Sequence, residues 1–247
     1  MAVTICSPIV ALKLYTVHNS HPCVAVARAL EMKGLSYTTI EWPPPLHPLA
    51  QTVLFGVRTV PALRIDGEKI SGSRAIMHRL DELAPEPPLY PADPAARAAV
   101  EEADLWGDTQ FQQVARDLIW VGVQRHPGAL VGYSRGGQLA LPATAVRLAA
   151  PAISRAGAAL NRTNGAKVAA RIAALPEQFD RIDAWIAAGV IGDAEHPNAA
   201  DLQILSTVRL IASFADVRPL LDGRPCLAAA RAVWPPLECE LPAGALR

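Results

Sequence analysis

At 247 residues the chain has room for two modest domains of about 100–200 residues each, and its 51% hydrophobic content can fill their cores. Twenty-three basic residues balance 23 acidic ones, so no net field recruits nucleic acid or an anionic membrane surface, and neither is expected as a partner. The four cysteines, Cys6, Cys23, Cys226 and Cys239, lack the short paired spacings of a zinc site and are too sparse for a disulfide scaffold, so no metal is expected.

Taken in chain order, Met1 to Val10 has neither the basic start nor the long apolar centre of an export signal, and no later stretch reaches the roughly 18 apolar residues that span a bilayer. The expectation is a soluble protein of the reducing cytoplasm. Residues 12–17 read as a strand, 22–33 as a helix stopped at Gly34, and 37–42 as a second strand, which makes a βαβ opening. A proline-rich loop follows at Pro43, Pro44, Pro45 and Pro48. Residues 61–65, the turn Asp66-Gly67 and the pair Lys69-Ile70 predict a hairpin, and a helix over 73–83 closes a first domain at 10–84. Residues 85–92 form a linker whose prolines stop the helix and stiffen the join.

From Asp93 the pattern changes, because Asp93-Pro94 supplies an N-cap and a proline for the first helical turn. Val100, Ala103, Trp106, Val114, Leu118 and Val121 then recur at helical spacing. Further stripes run from Val168 to Ile186 and from Leu202 to Phe214. The second domain, 93–234, is therefore predicted to be all helical, with 235–247 as a loose tail.

Two features of the first domain carry chemistry. Ser20-His21-Pro22-Cys23 heads the first helix, where unpaired N–H groups and the helix dipole favour a negative charge such as a thiolate. Thr59-Val60-Pro61 places a proline at the start of a strand, where a cis bond is tolerable and the Val60 backbone is offered to a peptide-like ligand.

On these residues the stretch from Leu12 to Leu83 resembles the glutaredoxins and the thioredoxin-fold half of glutathione transferases. Counting back from Lys33-Gly34 sets Ser20 on the first cysteine of the glutaredoxin Cys-Pro-Tyr-Cys motif and Cys23 on the second; the same count sets Ser20 on the catalytic serine of serine-type transferases. Arg58-Thr-Val-Pro61 and Ile65-Asp-Gly67 resemble the glutaredoxin stretch, and Ser73-Arg-Ala-Ile76 resembles the end of the transferase Glu-Ser-X-Ala-Ile motif. Asn198-Ala-Ala-Asp201 is similar to the transferases' Ser/Thr-X-X-Asp helix cap.

The resemblance implies a thioredoxin-like α/β domain followed by an all-α domain, glutathione as co-substrate, a small electrophile as second substrate, and a homodimer. It makes Ser20 the catalytic residue, donating a hydrogen bond to the glutathione sulfur. Val60, Pro61, Gly72, Ser73 and Arg58 become the residues that hold the tripeptide, with His21 and Cys23 beside the site. Gly72 stands where transferases usually carry an acidic residue. Lowering a thiol pKa from about 8.5 to about 6.5 takes roughly 2.7 kcal/mol, which a hydrogen bond to the charge and a helix terminus can supply without a general base.

Other readings stand beside this one. Ser20 can be a plain helix cap, and Cys23, one turn into the helix, a packed residue rather than a nucleophile. Tyr15 reads as a core residue of the first strand. Gly132-Tyr-Ser134-Arg-Gly136 matches the nucleophile elbow of α/β-hydrolases, with His196 downstream, but the helical stripes around it offer no parallel sheet, so it reads as a loop between helices. Two alternatives to transfer remain: a glutathione-dependent thiol oxidoreductase, and a transferase-like fold kept as a binding or assembly module.

Overall fold

Leu12, Leu14, Tyr15 and Thr16 are all buried in β1 (Leu12–Thr16), as befits a central strand covered on both faces. The computed structural model describes residues 11–43, 46–138 and 142–247; Met1 to Val10, Cys6 among them, and Pro44 and Pro45 of the predicted loop lie outside the described residues. β1 pairs in parallel with β2 (Tyr37–Glu41) across α1 (His21–Met32), giving the expected βαβ unit. On its other side β1 runs antiparallel to β3 (Ala62–Ile65), which turns at Asp66-Gly67 into β4 (Glu68–Ser71). Both turn residues have positive φ, 47° and 101°, the requirement of the tightest hairpin turn and the reason Asp-Gly marks it in sequence. The sheet order is β2-β1-β3-β4.

A helix absent from the sequence expectation, α2 (His47–Phe55), fills the span after the proline-rich loop. α3 (Ser73–Leu83) packs on α1 and closes the unit. The linker is pinned. Lys33, buried at the end of α1, donates to the Asp81 carboxylate at 2.7 Å and to the carbonyls of Ala84 and Pro87 at 2.6 and 2.7 Å. The same carboxylate oxygen accepts the Leu89 N–H at 2.7 Å, and Leu89 and Tyr90 are buried.

The remainder is helical. α4 (Pro94–Trp106), capped by the Asp93 side chain on the Ala96 N–H, runs through a π-helical turn at Gly107–Phe111 into α5 (Gln112–Arg125). A short α6 (Ala129–Tyr133) leads to α7 (Ala143–Leu160) and α8 (Gly165–Ala187). α9 (Ala199–Ile211) is buried along almost its whole length and packs against α1, α4 and α10 (Pro225–Val233), so it is the shared core of both halves. The architecture is the expected α/β thioredoxin-like unit followed by helices. Among the described residues, no helix is long and apolar enough to cross a membrane.

The expectation of a loose tail over 235–247 is corrected. Leu241, Ala245 and Leu246 are buried, Leu241 exchanges backbone hydrogen bonds with Ser213 and Ala215, and the Asp216 carboxylate accepts the N–H groups of Gly244 and Leu246. The space comes from Gly122 on α5, where a Cβ would collide with the Leu241 side chain.

Candidate functional site

The site begins at the β1–α1 turn. Ser20 is the N-cap of α1 with extended backbone (φ −67°, ψ 116°), and its carbonyl accepts the N–H groups of Cys23 and Val24 at 2.9 Å. Its side chain makes no capping bond. The plain-cap reading therefore accounts for the backbone and not for the hydroxyl, which stands close enough to the Cys23 thiol to favour its charged form. Cys23 is 2% exposed, and burial raises its pKa against the lowering effect of that hydroxyl and of Thr16 and Val17. A thiol so placed is a poor nucleophile.

Across from this turn, the Val60–Pro61 peptide is cis, and the Pro61 carbonyl accepts the Gly72 N–H at 3.0 Å. That bond ties the loop before β3 to the start of α3. Gly72 has φ 92°, a conformation L side chains rarely adopt, so an acidic residue here would strain this backbone. Ser73 is buried; its hydroxyl accepts from the Gln112 amide at 3.2 Å and lies 3.5 Å from an Asp108 oxygen, so α5 and the π-turn meet the head of α3.

Between the β1–α1 turn and the helical half lies a cavity of about 300 Å³. Ser20, His21, Val60 and Arg58 line it; Pro61, Gly72, Ser73 and Cys23 do not. Its far wall is apolar, built from Ile119, Trp120 and Val123 of α5 and from α7, where the Trp120 ring lies so close to Gly157 that no Cβ fits between them. Its rim is stitched across the two halves by His18 Nε2 to the Arg135 carbonyl at 2.9 Å and by Asn19 donating to the Tyr133 carbonyl at 3.0 Å, and within the helical half the Tyr133 hydroxyl is bonded to Ser213 at 2.7 Å.

The sequence reading missed Arg116, which lines the cavity beside His21. A signal was present: 116, 119, 120 and 123 share one face of a helix, so an arginine heads an apolar stripe. Ser134 of the hydrolase-like motif stands at the end of α6 with its hydroxyl donated to the Leu130 carbonyl at 2.8 Å, and His196 is exposed beside Asp193; no elbow forms. Among the described residues, no group of three His, Cys, Asp or Glu side chains is placed to hold a metal.

A thioredoxin-like sheet, a cis-proline loop facing the head of the first helix, and a helical half closing a cavity over them define the two-domain proteins of the glutathione transferase type. Residues 14–88 match the family model "Glutathione S-transferase, N-terminal domain". The maleylacetoacetate isomerase of Mus musculus is 35% identical over 120 residues, 45% of this chain and 48% of that protein. The probable maleylacetoacetate isomerase 1 of Drosophila melanogaster is 46% identical over 46 residues, 19% of each chain. The chain thus spans about half, or less, of the length of these curated relatives. The β-etherase LigF of Sphingobium sp. strain SYK-6 shares the fold, with a TM-score of 0.65 at 16% identity over 90% of this chain and 97% of that one. Residues 14–88 are thus similar to the N-terminal domain of glutathione S-transferases, and the chain shares its fold with solved transferases such as glutathione transferase F7 of Populus trichocarpa.

Proposed function

We propose that the protein binds glutathione and uses its thiolate on a small electrophile held in the cavity. One observation carries the reading: the Ser20 hydroxyl, free of capping duty at the head of α1, faces with Val60 into a cavity whose far wall is apolar. In this reading the Val60 backbone and the N-terminus of α3 at Gly72 and Ser73 hold the tripeptide, with Pro61 fixing the loop and Arg58 at the rim. Ser20 turns its hydroxyl from Cys23 to the glutathione sulfur and donates to it, the helix terminus adds its field, and the thiol proton passes to solvent. The thiolate then forms a bond to the electrophilic carbon, and a leaving group departs with its electron pair.

Similarity to maleylacetoacetate isomerases favours a second outcome of the same chemistry: reversible thiolate addition to an activated double bond, rotation, and expulsion of glutathione unchanged. The oxidoreductase reading is disfavoured, because the first position is Ser20 and the remaining thiol, Cys23, is buried with a raised pKa. A reducing cytoplasm and a homodimer belong to the proposal, the latter checked by sedimentation.

The test is calorimetric titration with glutathione, then ultraviolet titration of the bound thiol in wild type and Ser20→Ala. The substitution is expected to raise the bound thiolate pKa by about 1–2 units, the worth of one hydrogen bond to a charge. No binding at millimolar glutathione would leave a non-catalytic module. An equal pKa in both proteins would remove Ser20 from its role. Disulfide reductase activity abolished by Cys23→Ser alone would favour the oxidoreductase.

A further inference from the structure

We infer that Arg116 is the receptor for an acidic group on the second substrate, so that the cavity selects electrophiles carrying a carboxylate on an apolar, ring-sized body. The inference rests on the reading of the cavity as the electrophile site.

Arg116 is partly buried in the cavity wall, and its polar partner is neutral: its Nη2 donates to the Gln112 side-chain carbonyl at 2.7 Å. Among the described residues, no carboxylate lies within ion-pair distance of it. The adjacent acid on the same helix, Asp117, is fully buried and already neutralised by Lys167 at 2.9 Å and Arg171 at 3.1 Å. Asp108, two helical turns back, acts on Arg116 only at longer range. Burial is costly to the guanidinium and lowers its pKa. A cation withdrawn from water without a counter-charge is satisfied when a ligand brings one.

His21 gives an independent sign of the same ligand. It is 6% exposed, it lines the cavity next to Ser20, and its Nε2 is buried without a hydrogen-bond partner. Unmatched buried polar atoms are few in native proteins, and one that borders a cavity points to a missing ligand. In the tautomer protonated at Nε2 this ring donates to an oxygen anion. Ile119, Trp120 and Val123 stand on the same helix face as Arg116 and offer an apolar body its seat, while the second arginine of the lining, Arg58, belongs to the loop before β3 beside Val60. Glu41, the acid on the rim, is engaged with His18 at 3.6 Å and with the Gln138 N–H at 3.3 Å.

The test uses 3,5-dinitrobenzoate and its methyl ester, two probes of one shape and different charge, titrated calorimetrically without glutathione into wild type, Arg116→Met and Arg116→Lys. Wild type is expected to bind the acid at least about tenfold tighter than the ester. Arg116→Met should erase that preference, and Arg116→Lys should keep part of it. Thermal unfolding verifies that each variant folds; if Arg116→Met does not, the preference in wild type must fall with added salt for the acid alone. Equal binding of acid and ester by wild type, no measurable binding of either at millimolar concentration, or a preference that survives Arg116→Met overturns the inference. So does a bound-glutathione thiolate pKa raised by Arg116→Met with the acid preference intact, since the arginine would then serve the sulfur. Failure of the transferase reading is distinct: glutathione does not bind, while the acid still depends on Arg116.

Discussion

His21 stands directly after Ser20, and its environment sets a pH dependence that belongs to one side chain. Burial, with the positive charge of Arg116 as a second cause, holds its pKa well below the ordinary 6.5. The folded protein keeps the ring neutral, and the unfolded chain protonates it. Its contribution to stability is therefore complete above the unfolded pKa and is lost as pH falls, by up to about 1.4 kcal/mol for each unit below pH 6.5. Asp104 works in the opposite sense. Burial pushes it up to about 6 against the lowering effect of the Tyr90 hydroxyl, which donates to it at 2.9 Å, so its contribution is present at low pH and lost as pH rises through that value. The absolute curve thus mixes two signs, and only a paired comparison isolates the histidine. Urea unfolding of wild type and His21→Gln between about pH 7.5 and about pH 5 should show wild type losing stability more steeply on acidification. Parallel curves would mean that His21 protonates in the folded state.

At the scale of elements, α9 depends on its first turn. Asn198 accepts the Asp201 N–H at 3.1 Å while Asp201 accepts the Asn198 N–H at 3.1 Å, a reciprocal cap, and Asp201 also takes the Gly192 N–H at 2.6 Å. Asn198→Ala should cost about 1–2 kcal/mol in urea unfolding, and Asn198→Asp should recover only part of it, because it keeps the acceptor for the Asp201 N–H but loses the amide N–H donated to the Val190 carbonyl at 2.8 Å. A cost below a few tenths would show that packing alone holds the helix. Caps of this kind were legible in sequence, as were Asp93-Pro94 and Asp66-Gly67, because their chemistry is complete within three or four residues. α2 was not. Its prolines suggest a loop, yet Pro48 sits in the first turn, where the missing N–H has no helical partner to lose. Gln51 is its single buried residue, while Leu49 and Val53 are 69% and 75% exposed, so no apolar stripe announced it. In the site, the Ser20 and Val60-Pro61 pair was legible from local motifs. Arg116 was not, because its role depends on which helix face meets the cavity.

The whole molecule shows why the tail escaped a reading of local pattern. Residues 235–247 have no helical or strand period, and the gaps that take their side chains lie more than a hundred positions away: the one above Gly122 that takes Leu241, and the one above Gly132 that brings the Cys239 Cβ within 2.9 Å of where a glycine Cβ would stand. Both glycines belong to the elements that carry the cavity wall, α5 with Trp120 and α6 with Tyr133. The tail is thus the outer support of the wall whose inner surface faces Ser20. Leu241→Ala leaves a hole at a fully buried site and should cost about 2–5 kcal/mol in urea unfolding. Loosening the wall should also weaken the acid probe more than glutathione, since the tripeptide is held in the proposed site by the first half, at Val60 and the head of α3. Titration of both ligands into Leu241→Ala, under conditions where the variant remains folded, should therefore lower the affinity for 3,5-dinitrobenzoate while that for glutathione changes less than about threefold. Equal losses for the two ligands would mean that the tail supports the fold as a single unit, with no separate bearing on the cavity wall.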